Sequence, residues 1–489
     1  MTPETTQNDT PKDPAVEFLK SQIEVFHNSI DVAYACINGG STPEIVTLHS
    51  KKFRQFVTKA LYSLKGKIPQ QNHIKSIIIL LELEALEGVE REANIRIAQH
   101  EGDIYLDLAN SANEQVKISK NGWEIIHASQ SPVYFTRPAK MQSLPNPKKD
   151  GQLGRLAGFL NLESQDHLYL IFAWLLMALK PNGPYPVLCI QGEQGSGKSS
   201  VCRLLKNIFD PSLPVITSMP SGEENLLISA LRSQVLAFDN ISSISHSASD
   251  ILCRMATGGG FSKRTLFTDD EETCFNIMRP IILNGITGLN GRQDLCDRTI
   301  FINTVPIPQN LRRTEEELQK AFAEAHPDIL GGLCTALSTA LQNENNPTPT
   351  SLPRMADFAK WVVAAEPALP IPPNSFLAAY ERNRAEIIDE AIEADPVASA
   401  VIAMVAQFPQ WTGTATQLLQ TLNGYTSDEV RRLNLWPKQA NVLSRKLKRA
   451  VTFLREKGVL LTFAKSGTRS ITITSALPIY PVNPDNYQQ

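Results

Sequence analysis

Apolar residues recur along the first third of the chain at two different spacings. Helical spacing predicts three helices, at about Glu17 to Asn28, Lys51 to Lys65 and Ile74 to Leu86. The segment Asp103 to Leu108 predicts a short strand instead. Turn-forming residues then cluster in the sequence NPKKDG at 146–151, which predicts a boundary loop. We therefore predict a disordered tail over 1–15 and an N-terminal α+β domain over 16–150.

Predicted helices and apolar strands alternate from residue 165 onwards. The helices are Gln165 to Leu179, Lys198 to Phe209, Glu223 to Leu231 and a segment near Ser249 to Ala256. The strands are Tyr185 to Gln191, Val215 to Met219, Gln234 to Asp239 and Arg279 to Gly285. This alternation is typical of an α/β fold with a parallel sheet covered by helices. We predict that core over 151–310, a helical lid or linker over 311–394, a compact domain over 395–478 and a tail over 479–489.

Composition and charge narrow the possible functions. The 489 residues include 47 basic and 50 acidic side chains, a net charge of −3, so any contact with nucleic acid is expected on a local surface. The seven cysteines include no C-x-x-C pair, which argues against a disulfide framework and a zinc cluster and favours a reducing cytoplasm. The longest apolar run, Leu168 to Leu179, is shorter than the roughly 20 residues that span a bilayer. We expect a buried helix there, no membrane partner and no secretory signal.

A glycine-rich motif lies between a predicted strand and the helix that begins at Lys198. Residues 192–199 read GEQGSGKS and match G-x-x-x-x-G-K-[ST] without a gap. In such a loop, backbone N–H groups surround phosphate oxygens, the lysine bridges the β- and γ-phosphates and the last hydroxyl ligates Mg²⁺. We therefore predict that the chain binds ATP and Mg²⁺. The predicted ATP-binding residues are Gly192, Glu193, Gln194, Gly195, Ser196, Gly197, Lys198, Ser199 and Ser200.

A carboxylate for the magnesium ion is expected at the end of a neighbouring strand. Residues 235–239 read VLAFD, so Ser199 and Asp239 are the predicted Mg²⁺ ligands, and Lys198 and Asp239 are predicted to be catalytic. The next residue is Asn240, where most hydrolytic P-loop proteins carry a second acid that orients the attacking water. Either Asp239 performs both roles, or a base comes from elsewhere, or turnover is slow.

These residues, in this order, resemble the superfamily 3 and initiator-like AAA+ helicases, most closely the replication ATPases of phages, prophages and integrative elements. The resemblance covers about residues 120–475 and rests on PYPVLCIQGEQGSGKSS, VLAFDNIS, ATGGGFSKRTLFTDDEE with RPIILNGI, and RQDLCDRTI. It implies a P-loop ATPase core of the additional-strand type, with helices on both faces of the parallel sheet. It also implies a homo-oligomeric ring, usually a hexamer, that moves along DNA as ATP hydrolysis moves hairpin loops in a central pore.

The same resemblance implies two further catalytic residues. Asn284, at the tip of a strand, is placed like the polar residue that senses the γ-phosphate, although a turn-forming Asn-Gly is the alternative. Arg298 is placed like an arginine finger that acts on the nucleotide of a neighbouring subunit, with Arg292 as the second choice. A surface ion pair of Arg298 with Asp294 or Asp297 is the alternative.

A pore hairpin is implied at residues 258–265, which read GGGFSKRT. Three glycines permit a tight turn, Lys263 and Arg264 are expected to contact DNA phosphates, and Phe261 is expected to stack on a base. A solvated glycine loop is the alternative. Arg354 resembles a lid residue that touches nucleotide, or is an ordinary residue at the start of a helix.

The C-terminal part of the chain contains the local basic surface that the composition requires. Residues 431–469 include eleven Lys or Arg against one acid, Glu456. Apolar residues recur there at helical spacing, at Leu443, Leu447, Val451 and Leu454, and a predicted hairpin follows over 458–473. Helices followed by a hairpin resemble a winged helix, which binds duplex DNA. The predicted DNA contacts are Arg445, Lys446, Arg449, Lys465 and Arg469, and a solvated basic face is the alternative.

The sequence predicts an ATP-dependent DNA helicase or translocase that acts in replication of a mobile genetic element. A nucleotide-gated DNA-binding switch, favoured by Asn240, and an ATPase of a host-defence system are the open alternatives. A P-loop kinase or GTPase leaves the Asn284 strand and Arg298 without a role. Primase activity is not supported, because Asp103 and Asp107 lie four residues apart, whereas a two-metal polymerase strand places its acids two apart.

Overall fold

The structure is a computed structural model of the chain. It describes residues 14–37, 43–264, 272–275, 277–285, 293–346, 352–464 and 469–475. Within these ranges the fold is a mixture of helices, antiparallel sheets, a four-stranded parallel sheet and a short parallel pair of strands. No helix of the described ranges is both long enough and apolar enough to cross a bilayer.

The first elements form a small α+β unit with its own apolar core. They are α1 (Pro14–Lys20), β1 (Ile23–His27), β2 (Ala33–Ile37), β3 (Glu44–Thr47), α2 (Lys51–Lys65) and α3 (Gln71–Leu86). The strands form an antiparallel sheet in the order β1-β2-β3. The helix predicted from Glu17 to Asn28 is wrong beyond Lys20, because residues Ile23–His27 pair antiparallel with β2 and therefore form a strand.

A second antiparallel sheet follows. It consists of β5 (Ile97–His100), β6 (Asp103–Asp107), β7 (Glu114–Ser119) and β8 (Gly122–His127), ordered as in the chain. On either side of it in the chain, β4 (Ala93–Asn94) and β9 (Tyr134–Phe135) form a separate parallel pair. One face of this sheet, including Val116 and Ile118, belongs to the same apolar core as α4 (Gln165–Ala178). The buried carboxylate of Asp107 accepts two hydrogen bonds from Arg137, at 2.6 and 2.8 Å, which is a structural role.

Parallel strands form the centre of the molecule. The elements after α4 are β10 (Val187–Gly192), α5 (Lys198–Asn207), α6 (Glu223–Ala230), β11 (Leu236–Phe238), α7 (His246–Thr257), β12 (Phe261–Arg264), β13 (Glu272–Phe275), β14 (Ile281–Asn284), α8 (Gln293–Cys296) and β15 (Thr299–Thr304). The sheet order is β11-β14-β10-β15, and every pair is parallel. The strand predicted at Val215 to Met219 is wrong, because Thr217 makes only an isolated bridge to Phe238.

Helices cover both faces of this parallel sheet, as predicted for the core. The side chains of β10 show that both faces are covered, because successive residues of a strand point to opposite faces. Leu188 and Ile190 pack in one apolar cluster with α4 and α5, and Val187 and Cys189 pack in another with α6 and α7. The apolar run Leu168 to Leu179 is a buried helix, as expected.

Three helices connect the core to the C-terminal unit: α9 (Glu315–Asn343), α10 (Ala356–Ala365) and α11 (Ser375–Ala394). The C-terminal elements are α12 (Pro396–Gln407), β16 (Gln410–Gly413), α13 (Ala415–Leu422), α14 (Asp428–Arg432), α15 (Ala440–Glu456), β17 (Val459–Phe463) and β18 (Ile471–Ser475). The predicted hairpin is confirmed by the pairing of β17 with β18, and β16, which the pattern did not predict, adds a third strand in the order β16-β18-β17.

Candidate active site

The glycine-rich loop joins the carboxyl end of β10 to the amino end of α5. Gly192, Gly195 and Gly197 have φ values of 144°, 83° and 82°, which L side chains rarely adopt. A Cβ at Gly192 would lie 2.4 Å from Thr304 Oγ1, whereas a Cβ at Gly195 would meet no heavy atom within 4 Å. The loop is therefore closed against β15 on one side and open at Gly195 on the other.

Ser196 and Thr304 fix this loop to the sheet. The buried Ser196 hydroxyl donates to the carbonyl of Glu193 at 2.8 Å and lies 2.7 Å from Thr304 Oγ1. Thr304 in turn donates to the carbonyl of Gln191 at 2.9 Å. The sequence analysis missed Thr304, although a polar residue at the end of an apolar strand is the signal that identified Asp239. The conformation of the loop is therefore stabilised by hydrogen bonds within the chain itself.

Lys198 lies against the loop as the first residue of α5. Its Nζ donates to the carbonyls of Gly192 and Glu193, at 2.8 and 2.7 Å. A positive charge is thus held at the amino end of a helix, where the helix dipole is also positive. This combination favours an anion at the loop.

Ser199, Asp239 and Asn284 converge beside the loop. Asp239 directly follows β11, Asn284 ends β14, and Ser199 lies in the first turn of α5. The Ser199 hydroxyl donates to Asp239 Oδ1 at 3.0 Å, and Asn284 Nδ2 donates to Ser199 Oγ at 3.1 Å and to Asp239 Oδ1. The structure therefore brings three of the predicted site residues into one hydrogen-bonded group.

One polar atom in this group has no partner. Asn284 is 2% exposed, and its Oδ1 accepts no hydrogen bond from the part of the chain that the structure describes. An unpaired buried carbonyl costs free energy unless a ligand or water supplies a donor. Asn240, the next residue after Asp239, adopts a left-handed φ of 57° and donates its backbone N–H to Asp239 Oδ1 at 3.0 Å. This orphan oxygen marks the side of the group where a further hydrogen-bond donor can bind.

Arg298 lies at the opposite end of the sheet from the loop. Its carbonyl accepts a hydrogen bond from Val187, the first residue of β10, whereas the loop begins at Gly192, the last. At about 3.3 Å per residue these two points are roughly 17 Å apart. Its Nη1 donates to the main-chain carbonyl of Asp294 at 2.7 Å. The structure therefore does not bring Arg298 to the loop of its own chain, and Arg292 lies outside the described residues.

Asp297, next to Arg298, forms an ion pair with Arg354. Burial raises the pKa of Asp297, and Arg354 and Arg384 oppose this effect. Arg354 thus contacts the turn that carries Arg298 and not the glycine-rich loop.

The remaining predicted contacts lie on two elements. Strands β12 and β13 form an antiparallel hairpin in which Lys263 pairs with Thr273 and Arg264 with Glu272. Residues 265–271, between the two strands in the chain, lie outside the described residues, as does Lys465. On α15 the polar side carries Arg445, Lys446 and Arg449, which we call the basic set; they pair with no carboxylate of the described residues. Arg469, just before β18, is exposed.

The C-terminal unit contacts the core through α15. Glu456 Oε1 accepts a hydrogen bond from Arg384 at 3.0 Å, and Lys457 Nζ lies 2.5 Å from Asp389 Oδ1. Phe453 packs against both the C-terminal apolar cluster and the core cluster that contains Leu295 and Cys296 of α8. The sequence analysis missed these contacts, because residues about 70 apart in the chain carry no local signal of their pairing.

Comparisons with known proteins give a consistent family. A model described as "Actinomycete integrative conjugative element replication protein" matches residues 152–389, and one described as "AICE RepA C-terminal domain" matches residues 397–483. Together the two matches cover about two thirds of the chain. No curated protein gives a significant match.

Solved structures to which this chain is similar include apo structures of the NrS-1 C-terminal region. An A-form structure is 13% identical, with 94% of this chain and 97% of that chain covered and a TM-score of 0.40. A second is 13% identical, with 95% and 100% covered and a TM-score of 0.38.

Proposed function

We propose that this chain, which belongs to the replication proteins of actinomycete integrative conjugative elements, is an ATP-hydrolysing motor that moves along DNA when the element replicates. The observation that carries the proposal is the convergence of Ser199, Asp239 and Asn284 beside the glycine-rich loop. The strand that ends in Asn284 lies between the strand that leads to the loop and the strand that leads to Asp239. This order is that of additional-strand P-loop ATPases, and it disfavours a kinase or GTPase with adjacent strands.

The residues present fit a magnesium-bound nucleoside triphosphate. Mg²⁺ in such sites takes one or two protein oxygens, and its other ligands are phosphate oxygens and water. Ser199 Oγ and Asp239 Oδ1, 3.0 Å apart, supply a hydroxyl and a carboxylate, and the open side of Gly195 leaves room for phosphates. When bound, the ion neutralises charge on the β- and γ-phosphates.

Each side chain has a defined part in hydrolysis. Lys198 exchanges the carbonyls of Gly192 and Glu193 for phosphate oxygens, and the amino end of α5 contributes backbone N–H groups. Asn284 holds Asp239 in place through Nδ2, and its orphan Oδ1 accepts a hydrogen bond from the attacking water. Asp239 then also serves as the base for that water, because Asn240 supplies no carboxylate.

The position of Arg298 supports a ring. An arginine roughly 17 Å from the loop of its own chain acts on a nucleotide only if a neighbouring copy presents its loop to it. We therefore propose a homo-oligomer, a hexamer in the simplest case, in which Arg298 completes the site of the next subunit.

Two elements are proposed to contact DNA. The β12–β13 hairpin carries Lys263 and Arg264 and grips single-stranded DNA in the pore of the ring. The C-terminal unit, with α15 before the β17–β18 hairpin and β16 beside it, is arranged like a winged helix whose basic set faces duplex phosphates. Membership of a replication family favours this function over a host-defence ATPase.

A nucleotide-gated DNA-binding switch is the second candidate. It is favoured by Asn240, whose exposed side chain stands where a hydrolytic acid is expected. A switch binds ATP and changes its affinity for DNA, but it hydrolyses ATP no faster than it binds and releases DNA.

Strand displacement by the purified full chain tests the motor directly. With Mg²⁺ and ATP, the chain is expected to release a labelled strand from a forked duplex. The double variant Lys263→Ala/Arg264→Ala is expected to hydrolyse ATP but to lose displacement and most of the stimulation by DNA. Displacement equal to wild type in this variant would overturn the role of the hairpin. Nucleotide-dependent DNA binding without any displacement by the wild type would overturn the motor in favour of the switch.

A further inference from the structure

A second cavity lies between the first two sheets and shares no residue with the glycine-rich loop. It measures about 300 Å³, at the lower end of the volumes of small-molecule sites. Its walls are the start of β3, the turn before β7 and the segment that contains β9. We call it the amide pocket, after Asn113 and Gln115.

Two buried amides in its wall each leave one polar atom unpaired. Asn113 is 4% exposed and Gln115 is 2% exposed, and neither Asn113 Nδ2 nor Gln115 Oε1 makes a hydrogen bond with the described residues. A left-handed φ of 53° orients Asn113, and its N–H and C=O are bonded to Asn110 and Ala128 at 3.1 and 2.9 Å. Because unpaired buried amides destabilise a fold, a ligand that pairs with them is the simplest reason for their presence.

The pocket offers this donor and this acceptor without a net charge. Glu44 forms an ion pair with Lys52, and Arg137 donates two hydrogen bonds to the buried carboxylate of Asp107, at 2.6 and 2.8 Å. The charged side chains in the described wall are thus already paired. A phosphate or a metal ion is not matched by such a wall, whereas a neutral polar group is.

Aromatic rings complete the wall. Tyr134 is held by a hydrogen bond from Arg91 Nη1 to its hydroxyl at 2.9 Å and by Phe26, whose ring centroid is 5.4 Å away. Phe135 follows it and is buried. A flat apolar face beside a neutral donor and acceptor suits a planar heterocycle, and side-chain amides pair with the edges of unstacked nucleobases.

We propose that the amide pocket binds one unstacked nucleobase of single-stranded DNA, with Asn113 and Gln115 on its polar edge and Tyr134 against its face. This proposal rests on the proposed function only in the choice of DNA as the source of the base, because the amide pocket is separate from the hydrolytic site. A free nucleoside has the same chemistry and is the other source that the experiment must separate.

Binding of a fluorescent single-stranded oligonucleotide to the full chain, followed by anisotropy, tests the pocket. Gln115→Leu and Asn113→Gly each remove one amide, and glycine suits the left-handed backbone at 113. Each is expected to weaken binding about three- to tenfold, the effect of one lost hydrogen bond. Duplex binding and basal ATP hydrolysis are expected to be unchanged, and thermal unfolding is expected at the same temperature or higher. Gln99→Leu, the same change at an exposed position of β5, is the matched control.

A photo-cross-link locates the base independently of affinity. An oligonucleotide with 5-iododeoxyuridine is expected to cross-link to the peptide that contains Tyr134, and less so in Gln115→Leu. Wild-type affinity in both pocket variants with no cross-link at Tyr134 would overturn the proposal. Competition by free nucleosides, with oligonucleotide affinity unchanged by the variants, would overturn DNA as the source. Loss of hydrolysis in Lys198→Ala with the cross-link retained separates this proposal from the hydrolytic one.

Discussion

The orphan carbonyl of Asn284 gives a sharp prediction for the variant Asn284→Ala. In the structure, Nδ2 donates to Asp239 Oδ1 and to Ser199 Oγ, while Oδ1 is buried and receives no hydrogen bond from the described residues. If Oδ1 accepts a hydrogen bond from the attacking water, Asn284 contributes more to the rate of ATP hydrolysis than to the free energy of unfolding. The variant is therefore expected to separate the two properties.

The stability change follows from the contacts. Losing a hydrogen bond to a charged carboxylate costs about 1.5–3 kcal/mol, and losing a neutral one about 0.5–1.5 kcal/mol. Removing the unpaired Oδ1 returns about 1–3 kcal/mol. The free energy of unfolding is thus expected to fall by only about 1–2 kcal/mol, well below the 5–15 kcal/mol of a typical domain. Misplacing a reacting group costs about 10²-fold in rate, and we expect a loss of about this size when the attacking water is no longer positioned by Oδ1.

Three measurements check this prediction: urea unfolding, fluorescent ATP binding and steady-state phosphate release. Asn225→Ala is the matched control, because it deletes an exposed amide on α6 that bonds only the carbonyl of Ser221. Hydrolysis within a few-fold of wild type in Asn284→Ala would refute the role of the orphan oxygen. Destabilisation above about 3 kcal/mol would show that the residue is structural.

Three further predictions concern the ring, the DNA surface and acid stability. Arg298→Ala is expected to bind ATP normally but to lose hydrolysis by roughly 10³-fold. Mixing it with Lys198→Ala is expected to restore activity at mixed interfaces. A wild type that is monomeric by light scattering, together with no rescue on mixing, would contradict this prediction. Replacing the basic set with alanine is expected to weaken duplex binding and to lower the salt slope by about 0.9 per lost phosphate contact, as measured by anisotropy, and an unchanged slope would exclude this face. Burial lowers the pKa of His326 to about 4, although its bond to the Ile208 carbonyl opposes this, so protonation favours the unfolded chain. Stability is expected to be complete above pH 6.5 and to fall by about 3 kcal/mol towards pH 4, with a smaller loss in His326→Gln; equal urea profiles would contradict the assignment.

Local signals in the sequence predicted the glycine-rich loop and the position of Asp239 beside it. The match at 192–199 fixes a strand, a loop and a helix in sequence, and the apolar strand before Asp239 ends where the parallel sheet brings it to Ser199. Asn284 was implied by the family resemblance, and the sheet brings it to Asp239 because the carboxyl ends of parallel strands meet at one edge of a sheet. The helical period at Leu443, Leu447 and Leu454 likewise predicted the buried side of α15.

Contacts between distant segments could not be predicted in this way. Arg96, with 0% exposure, donates to the carbonyl of Asp107 at 2.9 Å and pairs with Asp210, which also binds Lys206 at 3.2 Å. Burial alone would raise the pKa of Asp210, but Lys206 and Arg96 outweigh it and the pKa is lowered. This buried group ties the second sheet to the end of α5, and nothing near Arg96 in the sequence indicates it. The helix predicted through Asn28 failed for a related reason, since pairing with β2 decides the conformation of β1.

Phosphate release from ATP by the purified full chain tests the central claim most directly. The account predicts release that requires Mg²⁺ and falls by orders of magnitude in Lys198→Ala, because the charge that follows the β- and γ-phosphates is lost while the fold remains. Lys320→Ala, at an exposed position of α9, is expected to behave as wild type. Wild-type release in Lys198→Ala, or release that is indifferent to chelation of Mg²⁺, would contradict the assignment of this site.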